Sequence, residues 1–320
     1  MSATNLPAAA NDFLPVPIDP SRNPAAVYLA RLAPGSRRAQ AAALNTMAGL
    51  LSGHRAVAQN LPWHKVGYQH TQALRAVLAG RFSPATANRH LAALRGVLRE
   101  SWRLGLTSAE DLARAIDLPS VRGDRLPRGR ALTRGELTSL FVTCGGGKPA
   151  DVRDAALLAV LYAAGLRRAE VVTLDLEDYD PETGALLIRG KGNKERSTYI
   201  DNGATDAIRG WLTLRGDEPG PLFLPVTQLG NVVSRRMTDQ AVYAILQSRS
   251  IKAGVKAFSP HDLRRSCVSD MLDAGVDISV VQRIVGHANV TTTARYDRRG
   301  EHAKRRAAKS LHVPFVAPEP

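Results

Sequence analysis

Residues 185–200 read Ala185-Leu186-Leu187-Ile188-Arg189-Gly190-Lys191-Gly192-Asn193-Lys194-Glu195-Arg196-Ser197-Thr198-Tyr199-Ile200, and this stretch decides the fold class. Ala185 to Ile188 is a short apolar run of strand length. Gly190 to Glu195 carries the glycines, asparagine and charges of a turn, and Ser197 to Ile200 resumes the strand pattern. The reading is a β-hairpin with Lys191 near its tip. It is the one firm strand signal in the chain, so the expected fold is mainly α with a small antiparallel β-sheet.

Working outward, helical patterns dominate both sides. Upstream, Thr133-Arg-Gly-Glu136 is a capping box that opens a helix, followed by helices near 151–164 and 168–173. Downstream they recur near 204–214, 238–253, 260–273, 278–285 and 291–296. Residues 118–130, Leu-Pro-Ser-Val-Arg-Gly-Asp-Arg-Leu-Pro-Arg-Gly-Arg, read as a basic linker. Before it, helices are expected near 23–32, 36–51, 68–79, 83–104 and 109–116. Ser83-Pro84 is a strong start, a capping residue followed by proline at the first helical position. On that helix Leu91, Leu94, Leu98 and Trp102 form an apolar stripe beside Arg95, Arg99 and Arg103. The first twenty residues are rich in Ala and Pro and are expected to be disordered. The organisation is therefore a disordered 1–20, an all-helical domain at 21–117, a linker at 118–131, a mixed, mostly helical domain at 132–297 and a tail at 298–320.

The formal charge is +14 over 320 residues, and its distribution is more telling than its size. From Ser21 through Arg99 there is no Asp or Glu, against eleven Lys or Arg. Solvated surfaces mix both signs, so a long one-sign stretch implies a polyanionic partner. Nucleic acid fits better than membrane, because no apolar run approaches the ~20 residues of a span and no signal-peptide pattern opens the chain. Arg89, Arg95, Arg99, Arg103 and Lys194 are the candidate DNA contacts. Cys144 and Cys267 form neither a disulfide framework nor a zinc spacing, and the protein is read as cytoplasmic.

Six residues of the second half carry the chemistry. Arg167 lies in Ala-Gly-Leu-Arg-Arg-Ala-Glu, and Lys191 in the hairpin turn. His261 and Arg264 share His-Asp-Leu-Arg-Arg-Ser, His287 follows Gly286, and Tyr296 lies nine residues further on. Singly, each has an ordinary reading: a glycine helix end, a solvated His-x-x-Arg, a packing tyrosine. Together they offer two guanidiniums, an ammonium, two imidazoles and a phenol, with little carboxylate near them in sequence. That inventory suits a site that grips a phosphodiester and attacks it with tyrosine. Arg presents a rigid, permanently charged fork for two phosphate oxygens, and such forks supply the positioning and charge stabilisation that phosphoryl transfer needs. A free phenol titrates near 10, so attack needs a base or the field of nearby cations.

The order and spacing resemble the tyrosine recombinase (phage integrase) family, its Xer-like branch in particular. The resemblance covers residues 132–296 in detail and the amino-terminal region only as a basic helical segment of suitable length, and it implies an all-helical DNA-binding domain at 21–117 and a catalytic domain at 132–297. It implies that Arg167 and Arg264 clamp the phosphate and that Tyr296 is the nucleophile. His261 is the better candidate base, and His287 a hydrogen-bond donor to a non-bridging oxygen. Lys191 would protonate the departing 5′ oxygen, with Lys194 close enough to be confused with it. Glu170 would support the site. The segment after Tyr296, through Val313, would dock on a neighbouring protomer by an apolar face of Ala303, Ala307, Leu311 and Val313. Val285, where the family often has leucine before Gly-His, is a small departure.

The function so implied is site-specific DNA recombination through a 3′-phosphotyrosyl link and a Holliday junction. Four copies would synapse two duplex sites, with accessory proteins or a partner recombinase, and without cofactor, ATP or metal. The rival readings are a type IB topoisomerase-like relaxing enzyme, a non-catalytic DNA-binding regulator and, weakest, a metal-dependent nuclease.

Overall fold

The computed structural model describes residues 13–123, 129–190 and 194–297, together with Ala308 and Pro314. The chain divides into two compact units, Met1–Leu126 and Pro127–Pro320. Among the described residues no helix is long and apolar enough to cross a membrane.

The first unit is all-helical: α1 (Pro24–Ala30), α2 (Pro34–Ser52), α3 (Tyr68–Arg81), α4 (Pro84–Arg103) and α5 (Ala109–Ile116). Three of these open on proline, whose fixed φ and missing N–H suit the first helical position. Helix α4 is the central element. It buries Leu91, Leu94 and Leu98 against Leu44, Met47, Leu74 and Leu78. Gly96 lets the Tyr28 ring of α1 lie directly on the α4 backbone, where any Cβ would collide with it.

Three expectations change in this unit. Residues 13–20 are held in place: Phe13 is fully buried, edge-on to His70 at 4.9 Å, and the Val16 N–H donates to the Asn60 carbonyl at 2.9 Å. One large aromatic offsets the ordering entropy that the average composition could not. Trp102, assigned to the apolar stripe, is 45% exposed, and Glu100 and Ser101 occupy the buried side of that last turn instead. Glu100 is buried there because the Arg31 and Arg103 guanidiniums both donate to it. The start of the supposed linker also belongs to this core. Leu118 is buried, Val121 packs beside it, and the Asn88 side chain both donates to and accepts from the Val121 backbone.

The second unit contains α6 (Arg134–Val142), α7 (Pro149–Ala163), α8 (Arg168–Thr173), β1 (Ala185–Gly190), β2 (Lys194–Tyr199), α9 (Gly203–Arg215), α10 (Asp239–Lys252), α11 (Pro260–Asp273), α12 (Ile278–Val285) and α13 (Val290–Ala294). The capping box of Thr133 and Glu136 opens α6 as read. Helix α7 buries Ala156 to Leu161 without a break, the mark of a helix surrounded by protein on all sides. The strands pair antiparallel from Ala185↔Tyr199 to Gly190↔Lys194, so the turn is tighter than 190–195. Arg189 and Glu195 face each other across the ladder at 3.6 Å, extending it past the apolar run. Leu186 and Ile188 point into the core, and their cross-strand partners Thr198 and Arg196 therefore share the inner face.

Candidate active site

Three junctions in the second unit bring the candidate residues together. The first follows α7. Gly165 takes a left-handed φ of +57°, where a side chain would meet Val285 and Cys267, and the chain then turns through Leu166 into α8. Arg167 sits at the N-cap of α8 with its side chain exposed. Glu170, in the first turn, closes a capping box by accepting from the Arg167 backbone N–H at 2.8 Å. The same carboxylate accepts from the Arg167 Nη1 at 2.6 Å, while Arg167 Nη2 donates to the Gly286 carbonyl at 3.2 Å.

The second junction is the start of α11, set by Pro260 and a capping box of Ser259 and Asp262. It places His261 at the mouth of the site and Arg264 nearly one turn deeper. Arg264 is 2% exposed. Its Nη1 donates to the Gly165 carbonyl and its Nη2 to the Val285 carbonyl, both at 2.5 Å. Both partners are neutral. Burial first, then the facing charge of Arg167, lowers the Arg264 pKa to about 10, which still leaves it cationic at neutral pH.

The third junction is the end of α12. Gly286 caps it with φ +67°, and the chain continues through His287 into α13, whose N-cap is Asn289. His287 is buried, and its Nδ1 lies 2.9 Å from the Thr293 hydroxyl. Burial, then Arg264 and Arg167, pull its pKa to about 4, so the ring is neutral.

Tyr296 follows α13 and packs on the cluster of Cys267, Val268, Leu272, Val281 and Val285. Its ring and its backbone are both held. The Arg265 guanidinium carbon lies 5.0 Å from the ring centroid, the His287 ring stacks at 6.0 Å, and Ser269 donates to the Tyr296 carbonyl at 3.1 Å. The phenol oxygen lies 3.2 Å from His261 Nε2. His261 is exposed, yet the partial burial of its ring, then Arg264 and Arg265, lower its pKa from the ordinary imidazole value. It is therefore a neutral imidazole at pH 7, able to take a proton.

Arg167, His261, Arg264, His287, Tyr296 and Glu170 thus converge. Lys191 lies outside the described residues, as do Ala303, Ala307, Leu311 and Val313 of the tail. Lys194 opens β2, paired with Gly190. Of the candidate DNA contacts on α4, Arg95 donates to the Leu118 carbonyl and Arg103 to Glu100. Arg89 and Arg99 are exposed, with no ion pair among the described residues.

One residue at this site escaped sequence reasoning. Arg196 of β2 is largely buried. Its Nη1 and Nη2 donate to the two Glu170 oxygens at 3.1 and 2.9 Å, and its Nε to the Ile284 carbonyl at 3.0 Å. Burial alone would raise the Glu170 pKa. The hydrogen bonds from Arg196 and from the Arg167 backbone outweigh it and bring the carboxyl to about 2. The available signal was the strand period, which puts Arg196 opposite Ile188 on the inward face, where an arginine needs hydrogen-bond acceptors.

Comparison with known proteins shows the family and the fold. The phage integrase family matches residues 130–302. The tyrosine recombinase XerD of Mycobacterium tuberculosis is 36% identical over 242 residues, spanning 72% of this chain and 75% of that protein. The tyrosine recombinase XerC of Lactobacillus leichmannii is 30% identical over 239 residues, 73% of this chain and 79% of that protein. Among solved structures, the Tn1549 transposon integrase in complex with transposon right end DNA shares the fold with a TM-score of 0.64 at 15% identity, covering 90% of this chain and 99% of that one.

Proposed function

The chain belongs to the phage integrase family and is a tyrosine-type site-specific recombinase; from that premise we propose that Tyr296 is its nucleophile, with Arg167, His261, Arg264 and His287 holding and activating the scissile phosphate. The observation that carries this reading is the 3.2 Å approach of His261 Nε2 to the Tyr296 phenol, beside two arginines.

In the proposed step the Tyr296 oxygen attacks phosphorus and its proton passes to neutral His261. The bond to the 5′ oxygen breaks, leaving a 3′-phosphotyrosyl link and a free 5′ hydroxyl. Charge growing on the non-bridging oxygens meets Arg167 and Arg264. If the Thr293 hydroxyl donates to His287 Nδ1, the ring's one hydrogen sits on Nε2, ready to donate to the same oxygens. Lys191 is assigned the proton for the 5′ oxygen on the family resemblance, with Lys194 as the alternative. Reversal with a 5′ hydroxyl from the other duplex rejoins the strands, because the covalent link conserves the phosphodiester's free energy. We further propose a homotetramer on two paired sites in double-stranded DNA, with accessory proteins or a partner recombinase, acting in the cytoplasm. Phosphate contacts would come from α4, best from Arg89 and Arg99.

Covalent trapping tests the reading. Wild-type and Tyr296→Phe protein are mixed, in EDTA, with nicked duplexes tiled across the locus encoding the protein and resolved on a denaturing gel. A shifted band from one fragment, absent with Tyr296→Phe, is the expected result. A band that survives in the variant overturns the nucleophile, and a band from every fragment overturns site specificity.

A further inference from the structure

Glu170 poses an electrostatic problem at this site. It orients Arg167 through the backbone N–H and Nη1, yet a carboxylate 2.6 Å from a guanidinium also cancels much of the charge that a phosphate needs. We propose that Arg196 is a positioning residue for strand cleavage: it neutralises Glu170 so that Glu170 orients Arg167 without consuming its charge, and it fixes the backbone at the end of α12 on which the site is hung.

Every donor arm of Arg196 serves this arrangement. Nη1 and Nη2 form a bidentate pair with the two Glu170 oxygens, the strongest arrangement open to the two groups. With Arg196 in place, the four charged groups Arg167, Arg196, Arg264 and Glu170 sum to +2, one positive charge for each clamping guanidinium. Without it, Glu170 would have only Arg167 to pair with and would compete directly with the phosphate. The third arm, Nε to the Ile284 carbonyl, holds the last turn of α12. The next two carbonyls along the chain anchor the clamp, Val285 to Arg264 and Gly286 to Arg167. Gly286 completes the fit: a Cβ there would sit 3.0 Å from the Arg196 Nε and Nη1, so the flat guanidinium lies directly beneath it. Lysine, whose three N–H donors radiate from one nitrogen, cannot span both the bidentate pair and the carbonyl contact.

The inference rests on the catalytic reading above, and the experiment separates the two. DNA affinity and single-turnover cleavage of a nicked duplex are measured for Arg196→Met, Arg196→Lys and the double variant Arg196→Met with Glu170→Gln, each checked for folding by thermal denaturation. Both single variants are expected to bind DNA as wild type does and to cleave on the order of 100-fold more slowly. The double variant keeps an acceptor for Arg167 but removes the competing charge. It is expected to regain about tenfold over Arg196→Met, a coupling of the size found within one charged network. Cleavage at wild-type rate by folded Arg196→Lys, a loss lying wholly in DNA affinity, or no recovery in the double variant would each overturn the proposal. Covalent product from Tyr296→Phe would instead overturn the catalytic reading itself, whatever Arg196 does.

Discussion

Arg249 and Arg264 are equally deep in the same unit, 3% and 2% exposed, but the fold surrounds them with opposite chemistry. Arg249, on α10, donates to the carboxylates of Asp154 and Asp151, each at 2.7 Å, and to the Thr143 carbonyl at 2.5 Å. Burial alone would lower its pKa, and the two aspartates outweigh this and raise it. Arg264, among the described residues, donates only to neutral carbonyls; burial and the facing charge of Arg167 outweigh the pull of Glu170, and its pKa falls to about 10. Both guanidiniums have hydrogen-bond partners, but only one has its charge balanced. A buried charge with its counter-charges ties helices together. A buried charge whose direct hydrogen-bond partners are dipoles is held ready for an anion, and it makes the site costly to assemble until that anion arrives.

Exchanging each arginine for a neutral side chain should therefore give opposite outcomes. Arg264→Gln is expected to slow single-turnover cleavage by on the order of 1000-fold. Its unfolding free energy should stay within about 1 kcal/mol of wild type, because losing an unbalanced charge offsets a lost hydrogen bond. Arg249→Met is expected to lose about 3 kcal/mol of stability as Asp151 and Asp154 lose their partner. The loss sits at the low end for a broken buried pair, since Arg153 still donates to Asp154. Cleavage per folded molecule should not change. Urea unfolding read beside the cleavage rate checks both, and an Arg264→Gln protein as unstable as Arg249→Met would break the contrast.

A smaller effect reads the same unbalanced field through His287. Its pKa of about 4 comes first from burial and then from Arg264 and Arg167. A histidine depressed in this way binds its proton more readily in the unfolded chain. Stability is therefore complete above about pH 6.5 and falls as the pH drops from there toward 4, by up to about 3 kcal/mol for a lowering from 6.5 to about 4. His287→Gln should flatten that acid limb in denaturant titrations. Arg264→Gln should move the His287 titration upward by NMR without restoring 6.5, because burial, the larger cause, stays. A His287 that does not respond to Arg264→Gln would mean that the field of this arginine does not reach the pocket.

Much of this was legible in the chain, and the parts that were not share a cause. Helix starts were readable because the signal is local: Ser83-Pro84, Thr133 with Glu136, and Pro260 each state their own backbone preference. The hairpin was readable from its apolar run and turn residues, and Arg167, His261, Arg264, His287 and Tyr296 were found by residue type and order. What escaped depends on neighbours distant in sequence. Phe13 is an anchor only because His70 and the α2–α4 core receive it. Trp102 is exposed because Glu100 takes the buried side of its turn with Arg31. Arg196 matters through Glu170 and Ile284, 26 and 88 positions away.

The smallest expected effect carries the contrast between balanced and unbalanced arginines to the first unit. Along α4, Arg103 donates to Glu100 and Arg95 to a carbonyl, while Arg99 is exposed with no ion pair among the described residues. A phosphate contact releases counterions, so each one lost reduces the slope of log affinity against log salt by about 0.9. Arg99→Ala is expected to cause that reduction and to weaken binding alike on specific and unrelated duplexes. Arg103→Ala should change the slope less, because its charge is already shared with Glu100, and the carboxylate keeps Arg31 as a partner. Binding isotherms across a salt series on both duplexes decide the matter. Equal slopes for the two variants would mean that pairing with Glu100 does not withhold Arg103 from DNA, and the distinction would then hold only for buried arginines, where no water competes for the charge.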